Sequence, residues 1–454
     1  MKEIRLTTYR HESKTTLESP AIQAALHACA AAGGGRVTLT AGTYRCGTLY
    51  LCDAVTLHLE AGAVIMGSGK LADYPPPATG FTDAIGDVRG RALIVAEKAA
   101  HVAITGEGVI DGNGGAFPIG SPGHKLRPFL CRMAYSRNVR IEGVTLRAAA
   151  AWTLHLLGCE DVLVAGIKID SRINENNDGI DVDSSRRVTI RDCEILSDDD
   201  AICLKATLPE PCEDVEVSDC TLVTECSGLK LGTESYGDIR RIRMHDCRIR
   251  YAATGAIKLL TSDGGVFEDV EISDIVIERG TAPIFLRLGG RGRVYVPGAQ
   301  RKGPGRLRRI RLARIKSDVF VPPKDIVQPF TRETMPARAF SGILITGLPG
   351  HCIEDVTLED VEIAFAGGGF PEDVRNEPPE QPEMYPEHFY FGALPAACAY
   401  VRHARGVTLR RVVACVKAAD ARPALVCEDV EGCLQEDCAW PNSGHCEENR
   451  SAGV

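Results

Sequence analysis

A nine-residue alternating segment recurs along the chain and limits the fold more than any other feature. Clear copies run from Asn138 to Leu146, Asp161 to Ile169, Arg187 to Ile195, Asp214 to Leu222, Arg241 to Ile249 and Asp269 to Ile277, with weaker ones at Arg309 to Ile315, Asp355 to Ile363 and Val407 to Val413. Inside each copy apolar and polar residues alternate with period two, the pattern of a strand with one buried face. Cys193, Cys220 and Cys247 sit at one phase of the repeat, 27 residues apart each time. A period of this length with strand rather than helix periodicity predicts an all-β solenoid, a single-stranded right-handed parallel β-helix in which each coil buries its inward side chains against the coils above and below.

A prior of about 100 to 200 residues per domain suggests several domains for 454 residues, but a repeat overrides it. The expectation is one β-helix domain over 1–454: a cap and first coils at 1–70, central coils carrying the site at 100–365, and last coils with loops at 366–454. Ser19-Pro20, the apolar run Ala21 to Ala32 and Gly33-Gly34-Gly35 predict a helix with Ser19 as N-cap, proline at N1 and a glycine stop, placed to cap the open first coil. The cysteines of the repeat are expected as one stack of buried, unbridged thiols, since no CxxC pair marks a metal or redox motif.

Composition narrows the partners. With 44% hydrophobic and 25% charged residues the chain is expected to be globular and soluble, and no apolar run reaches a membrane span. A net charge of -9 gives no basic footprint for nucleic acid or an anionic membrane. Met1 to Arg10 lacks the apolar core of a secretory signal, which predicts a cytoplasmic protein, or a periplasmic or secreted one if a leader has been trimmed. The repeat and the composition leave the oligomeric state open. Gly- and Pro-rich stretches at Gly289 to Arg306, Ser317 to Ala337 and Gly367 to Pro395 are expected as loop walls at one end of a groove.

The chemistry gathers in the central coils. Asn176-Asn177-Asp178-Gly179 and Asp198-Asp199-Asp200 place Asp178 and Asp199 21 residues apart, close to one coil, so their carboxyls project from adjacent strands. Like charges a few Å apart resist ionising together, a cost tolerated mainly at sites. Inverting glycoside hydrolysis needs such a set: one protonated carboxyl at the leaving oxygen, and a carboxylate base holding water on the opposite face about 6.5–9.5 Å away. Oxygen-rich clusters also suit calcium, which remains the alternative.

The Asn-x-Asp at Asn176 to Asp178 and the pair Asp199-Asp200 resemble the hallmark motifs of the family 28 glycoside hydrolases, the polygalacturonase family. The resemblance extends to Gly33-Gly34-Gly35-Arg36-Val37, Ala41-Gly42-Thr43-Tyr44, Ile110-Asp111-Gly112-Asn113-Gly114 and Trp152-Thr153-Leu154-His155. It implies an inverting hydrolase of a pectin-type polymer, without a cofactor or metal. Asp199 is then the general acid, Asp178 and Asp200 position and deprotonate water, and Asn176 orients Asp178 or a substrate hydroxyl. The chain departs from the family where Gly-His-Gly is replaced by Cys226-Ser227-Gly228, and where Arg-x-Lys becomes Lys258-Leu259-Leu260. Ser227 carries no charge, and Lys258 lacks the bidentate fork of arginine, so uronate recognition there is weakened. Arg287 in the next coil is a candidate to compensate. Tyr236 is a candidate to stack on a sugar face, while His155 and His403 fit packing or a rim position as well as ligand contact. A polysaccharide lyase using Lys258 as base and a non-catalytic carbohydrate-binding β-helix are the other two readings.

Overall fold

The computed structural model describes residues 2–7, 16–83, 86, 88–321, 339 and 341–441. The chain forms two compact units: Met1–Cys203 with Asp214–Cys220, and Leu204–Glu213 with Thr221–Val454. Both are built of parallel strands stacked coil on coil, the right-handed parallel β-helix expected from the repeat. Among the described residues, Phe81–Thr82 pairs antiparallel with Val88–Arg89, and an isolated antiparallel bridge joins Leu348 and His351.

The first unit has three ladders. One runs Lys2–Leu6, Gly35–Leu39, Val55–Leu59, Ala100–Gly106, Arg137–Glu142, Glu160–Ala165, Arg186–Arg191. A second runs from Gly42–Cys46 through Ala63–Gly67 and Val109–Asp111 to Glu194–Ser197. The third joins Leu49–Tyr50, Ala92–Glu97, Phe129–Ala134, Leu154–Leu157 and Ile180–Asp183. Register makes the core: Val37, Leu57, Ile104, Ile141, Val164 and Ile190 are successive partners, all fully buried. The second unit repeats the device with Ile242, Val270, Ile310, Val356 and Val407.

In eight of the nine repeats the first residue is a corner in the left-handed region: Asn138, Asp161, Arg187, Asp214, Arg241, Asp269, Arg309 and Asp355 all have φ between 52° and 56°. Asn and Asp tolerate that conformation better than other non-glycine residues. Where arginine takes the corner it pairs with a carboxylate of a neighbouring coil, Arg187 with Asp161 at 2.6 Å, Arg241 with Glu213 at 2.7 Å and Arg309 with Asp269 at 2.7 Å. A second corner, five residues on, is Gly143, Gly166, Asp192, Asp219, Asp246 or Asp274, again at positive φ.

The helix Ser19–Ala31 packs Ile22, Ala25, Leu26 and Cys29 onto the first coil. Its start corrects the expectation: Glu18 is the N-cap residue, Ser19 is already helical, and Pro20 follows at the second position. Both polar side chains are instead used to dock the helix. Ser19 Oγ accepts the Gly47 N–H at 2.9 Å and Glu18 Oε2 accepts that of Arg45 at 3.1 Å. The glycine stop holds, with Gly33 at φ 81°. Cys193, Cys220 and Cys247 are buried and in no disulfide, as is expected of packing thiols, and the hydrogen bond from the Cys220 thiol lowers the pKa of Cys193. Residues 322–337 of the loop Ser317 to Ala337 lie outside the described residues. Among the described residues no helix is long and apolar enough to cross a membrane.

The ladder predicts a contrast measurable in urea. Ile190→Ala, which empties a fully buried position, is expected to cost about 2–5 kcal/mol, whereas Arg187→Ala at an exposed corner leaves the unfolding midpoint nearly unchanged.

Candidate active site

In the first unit the loop from Arg172 to Gly179 links two ladders and carries the Asn-x-Asp motif. It is held from below by Asn177, which sequence reasoning passed over. Its amide donates to the carbonyls of Ala149 at 3.0 Å and Ala151 at 2.9 Å, and its Oδ1 accepts the N–H groups of Ile173 and Asn174 at 3.0 and 2.8 Å. Asn174 Nδ2 reaches the Gly114 carbonyl at 2.8 Å. The glycines of Ile110-Asp111-Gly112-Asn113-Gly114 are needed for this packing, because a Cβ on Gly114 would lie 2.3 Å from the Ala149 oxygen. The motif therefore builds the floor of the loop.

Asp178 and the Asp199-Asp200 pair meet on successive coils. Gly179 N–H donates to the Asp200 carbonyl at 2.8 Å and Ile180 N–H to that of Ala201 at 3.0 Å. A Cβ at Gly179 would stand 2.3 Å from the Ala201 oxygen, so glycine is what lets the two acidic turns close on each other. Asp178 and Asp200 are buried, at 3% and 2% exposure, while Asp199 is half-buried. Asp199 Oδ1 accepts the Asp200 N–H at 2.9 Å, and its Oδ2 accepts the Asn176 amide at 3.2 Å. Two fixed donors thus set the plane of the one carboxyl of the trio that reaches solvent. Asn176 itself stands in the left-handed region, φ 54°, which turns its side chain toward Asp199.

His155 belongs to the same unit but is packed. It is fully buried, meets Phe129 and Trp152 edge-on at 5.6 and 5.2 Å between centroids, and has Nε2 3.7 Å from Asp183 Oδ2.

The remaining sequence candidates lie in the second unit, and the late loop takes most of their polar atoms. Ser227 is fully buried, its Oγ 3.6 Å from Cys226 Sγ. Lys258 is also fully buried, and its ammonium donates to Thr254 Oγ1 at 3.0 Å and to Glu387, a partner 129 residues away that no spacing rule signals. Arg287 is 1% exposed and donates to Thr346 Oγ1 at 3.2 Å, to the Gly347 carbonyl at 3.1 Å and to the Glu380 carbonyl. Burial, helped by nearby Arg402, pulls its pKa down to about 10. Tyr236 is 7% exposed, with the Lys302 ammonium 4.2 Å from its ring centroid. That ring face is occupied, so the stacking surface expected from sequence is covered.

Gly367 to Pro395 thus lies on the outer face of its unit's sheet, where Phe391 and Leu394 pack with Leu260, Phe285, Leu344 and Tyr400. His403 fastens it: Nε2 meets Glu380 Oε1 at 2.9 Å and Nδ1 meets Asp429 Oδ2 at 2.6 Å. Tyr385, also unflagged by the sequence, has its hydroxyl 3.2 Å from Lys230 Nζ.

These features define a right-handed parallel β-helix with a paired acidic turn. Residues 78–289 match the model for glycosyl hydrolases family 28. It is 29% identical over 264 residues to a probable polygalacturonase of Vitis vinifera, covering 54% of each chain, and 37% identical over 122 residues to an exo-poly-alpha-D-galacturonosidase of Dickeya chrysanthemi, covering 25% of this chain and 20% of that one. The chain spans about half or less of these relatives. The crystal structure of a hyperthermoactive exopolygalacturonase from Thermotoga maritima superimposes with a TM-score of 0.68 at 19% identity, over 91% of both chains, which establishes the shared fold.

The His403 clasp gives a pH signature. Its bond to Glu380, more than the opposing burial, raises its pKa, with Asp429 adding to the effect. A raised histidine contributes stability in full below its unfolded value of about 6.5 and loses it as pH rises through the folded value. The melting-temperature gap between wild type and His403→Gln is therefore expected to be widest near pH 6 and to shrink with rising pH; a gap that widens instead would refute the clasp.

Proposed function

We propose that the protein is an inverting, exo-acting glycoside hydrolase of a pectin-type or related oligosaccharide, with Asp199 as general acid and Asp178 with Asp200 positioning and deprotonating water. The observation that carries this reading is the asymmetry of the trio: two carboxyls buried on successive coils and a third, Asp199, half-exposed with two fixed donors. Proton donation places charge on the Asp199 carboxyl as the leaving group departs. Donors already aimed at that carboxyl stabilise the charge without reorganising. The two buried carboxyls, Asp178 on the preceding coil and Asp200 beside Asp199, suit the opposite task of holding and deprotonating water.

The family-model match and the matched relatives support the hydrolase class, and the relatives' names point to galacturonate-rich polymers. The environment of Lys258 argues for a different preference. Its ammonium is matched by Glu387, so a uronate carboxylate at that position would compete with an internal anion for one cation. The same pairing counts against a lyase with Lys258 as base, because a lysine bound to a carboxylate holds its proton.

Two experiments test this. Asp199→Asn, Asp178→Asn and Asp200→Asn are each expected to lower turnover at least about a hundredfold with thermal stability unchanged or higher; near-normal turnover of Asp199→Asn would remove the acid assignment. In a side-by-side rate comparison, unsubstituted polygalacturonate is expected to be a poorer substrate than rhamnose-containing, side-chain or neutral pectic oligosaccharides, cut one unit at a time. Strong depolymerisation of polygalacturonate, abolished by Lys258→Met, would reverse that conclusion.

A further inference from the structure

Arg127 is buried beneath the acidic turn and has no role in the reading above. It is 2% exposed, and its guanidinium is spent almost wholly on the backbone: Nε donates to the Ala150 carbonyl at 2.7 Å, Nη1 to that of His124 at 2.8 Å, and Nη2 to that of Glu175 at 2.9 Å. The same Nη2 donates to Asn176 Oδ1 at 3.0 Å. Nη2 also lies 3.9 Å from Glu175 Oε1, beyond hydrogen-bond reach, and that carboxylate instead meets His124 Nε2 at 2.8 Å. The three carbonyls fix the guanidinium plane from separate segments, so its fourth contact is delivered to Asn176 in one orientation.

That orientation decides which end of the amide faces Asp199. An amide has an acceptor end and a donor end, and a guanidinium presents only donors. Holding Oδ1 on Arg127 leaves Nδ2 to point at Asp199 Oδ2, at 3.2 Å. Turned the other way, the amide would bring two donors against the guanidinium and an oxygen against a carboxylate. We propose that Arg127 is a positioning residue for the acid, acting through Asn176 to keep an N–H aimed at the Asp199 carboxyl. The inference rests on the assignment of Asp199 as general acid. Arg127 itself touches no reacting atom. Its effect is to make the Asn176 donor permanent, so that the charge left on Asp199 after proton transfer is met by a bond already in place.

A donor to the charged form lowers a carboxyl pKa, so its loss raises it. The other titratable groups of the two turns, Asp178, Asp198, Asp200 and Glu175, are unchanged in every variant used. The test is a titration of the full-length, substrate-free protein with carboxyl-labelled aspartate, followed by carbon NMR, with the Asp199 signal identified by its loss in Asp199→Asn. In Arg127→Lys and in Asn176→Ser the Asp199 signal is expected to titrate at higher pH than in wild type, because the aimed donor is lost. On the best pectic oligosaccharide the alkaline limb of the kcat profile should move up with it, kcat should fall about tenfold, and KM should stay within about twofold. An Asp199 titration in Arg127→Lys that superimposes on wild type overturns the proposal. So does unfolding of both Arg127→Lys and Arg127→Gln, which would make the guanidinium a brace for the fold. Full activity of Asp199→Asn would remove the acid assignment, yet the NMR shift would still report whether Arg127 sets the Asn176 bond.

Discussion

Register is the constraint on which everything else in this molecule depends. Each coil contributes the same phase of side chains to a continuous apolar column, so Ile141 must sit between Ile104 and Val164, with no freedom to slide. A slip of one residue would exchange the buried and exposed sets of an entire strand. The left-handed corners hold the phase, because a residue at φ near 54° turns the chain at a fixed point in every coil. Aspartate and asparagine accept that turn from their own chemistry. Arginine accepts it in company, which explains why Arg187 and Arg309 stand over Asp161 and Asp269.

Once register is fixed, a loop emerging from one coil returns to the next at a predictable height, and the acidic site uses this. Asp178 and Asp200 need no special scaffold beyond the ladder and the missing side chain at Gly179. The precision comes from amides. Asn177 anchors the loop to the carbonyls of Ala149 and Ala151, and Asn176 turns outward to Asp199. Two neighbouring asparagines thus do opposite jobs, one binding the fold and one serving the carboxyl. The divergence follows from backbone conformation, since Asn176 alone of the two lies at positive φ.

What was legible in the sequence follows the same division. Strand phase, the corner residues and the helix at Ser19 could be read because each is a local pattern repeated many times or bounded by glycine. The acidic turns could be read because the coil length converts a spacing of 21 residues into neighbourhood. The partners of Lys258 and Arg287 could not, because Glu387 and Glu380 come from a loop with no period, about a hundred residues downstream. Arg127 was hidden for a related reason: its acceptors are mostly backbone carbonyls, which carry no sequence signal at all. Ser19 shows the converse failure. It has the chemistry of an N-cap but found a better acceptor role for its hydroxyl in the Gly47 N–H of the neighbouring strand.

The second unit shows how a solenoid satisfies a buried charge without changing its strands. Lys258 occupies a fully buried position, where an isolated ammonium would cost several kcal/mol. An ion-dependent subsite meets that cost with the substrate's own carboxylate, so the empty site is strained and the filled one relaxed. Here Glu387 supplies the carboxylate from within the chain, and Thr254 completes the coordination of the ammonium. The resting protein is already neutralised, and an incoming uronate would gain only the difference between two similar carboxylates while displacing a packed loop. That loop is held independently by Arg287 and Arg402 on the carbonyls of Glu380, Pro378 and Pro379. The lysine is therefore satisfied by the loop before any ligand arrives, and removing it would strand Glu387.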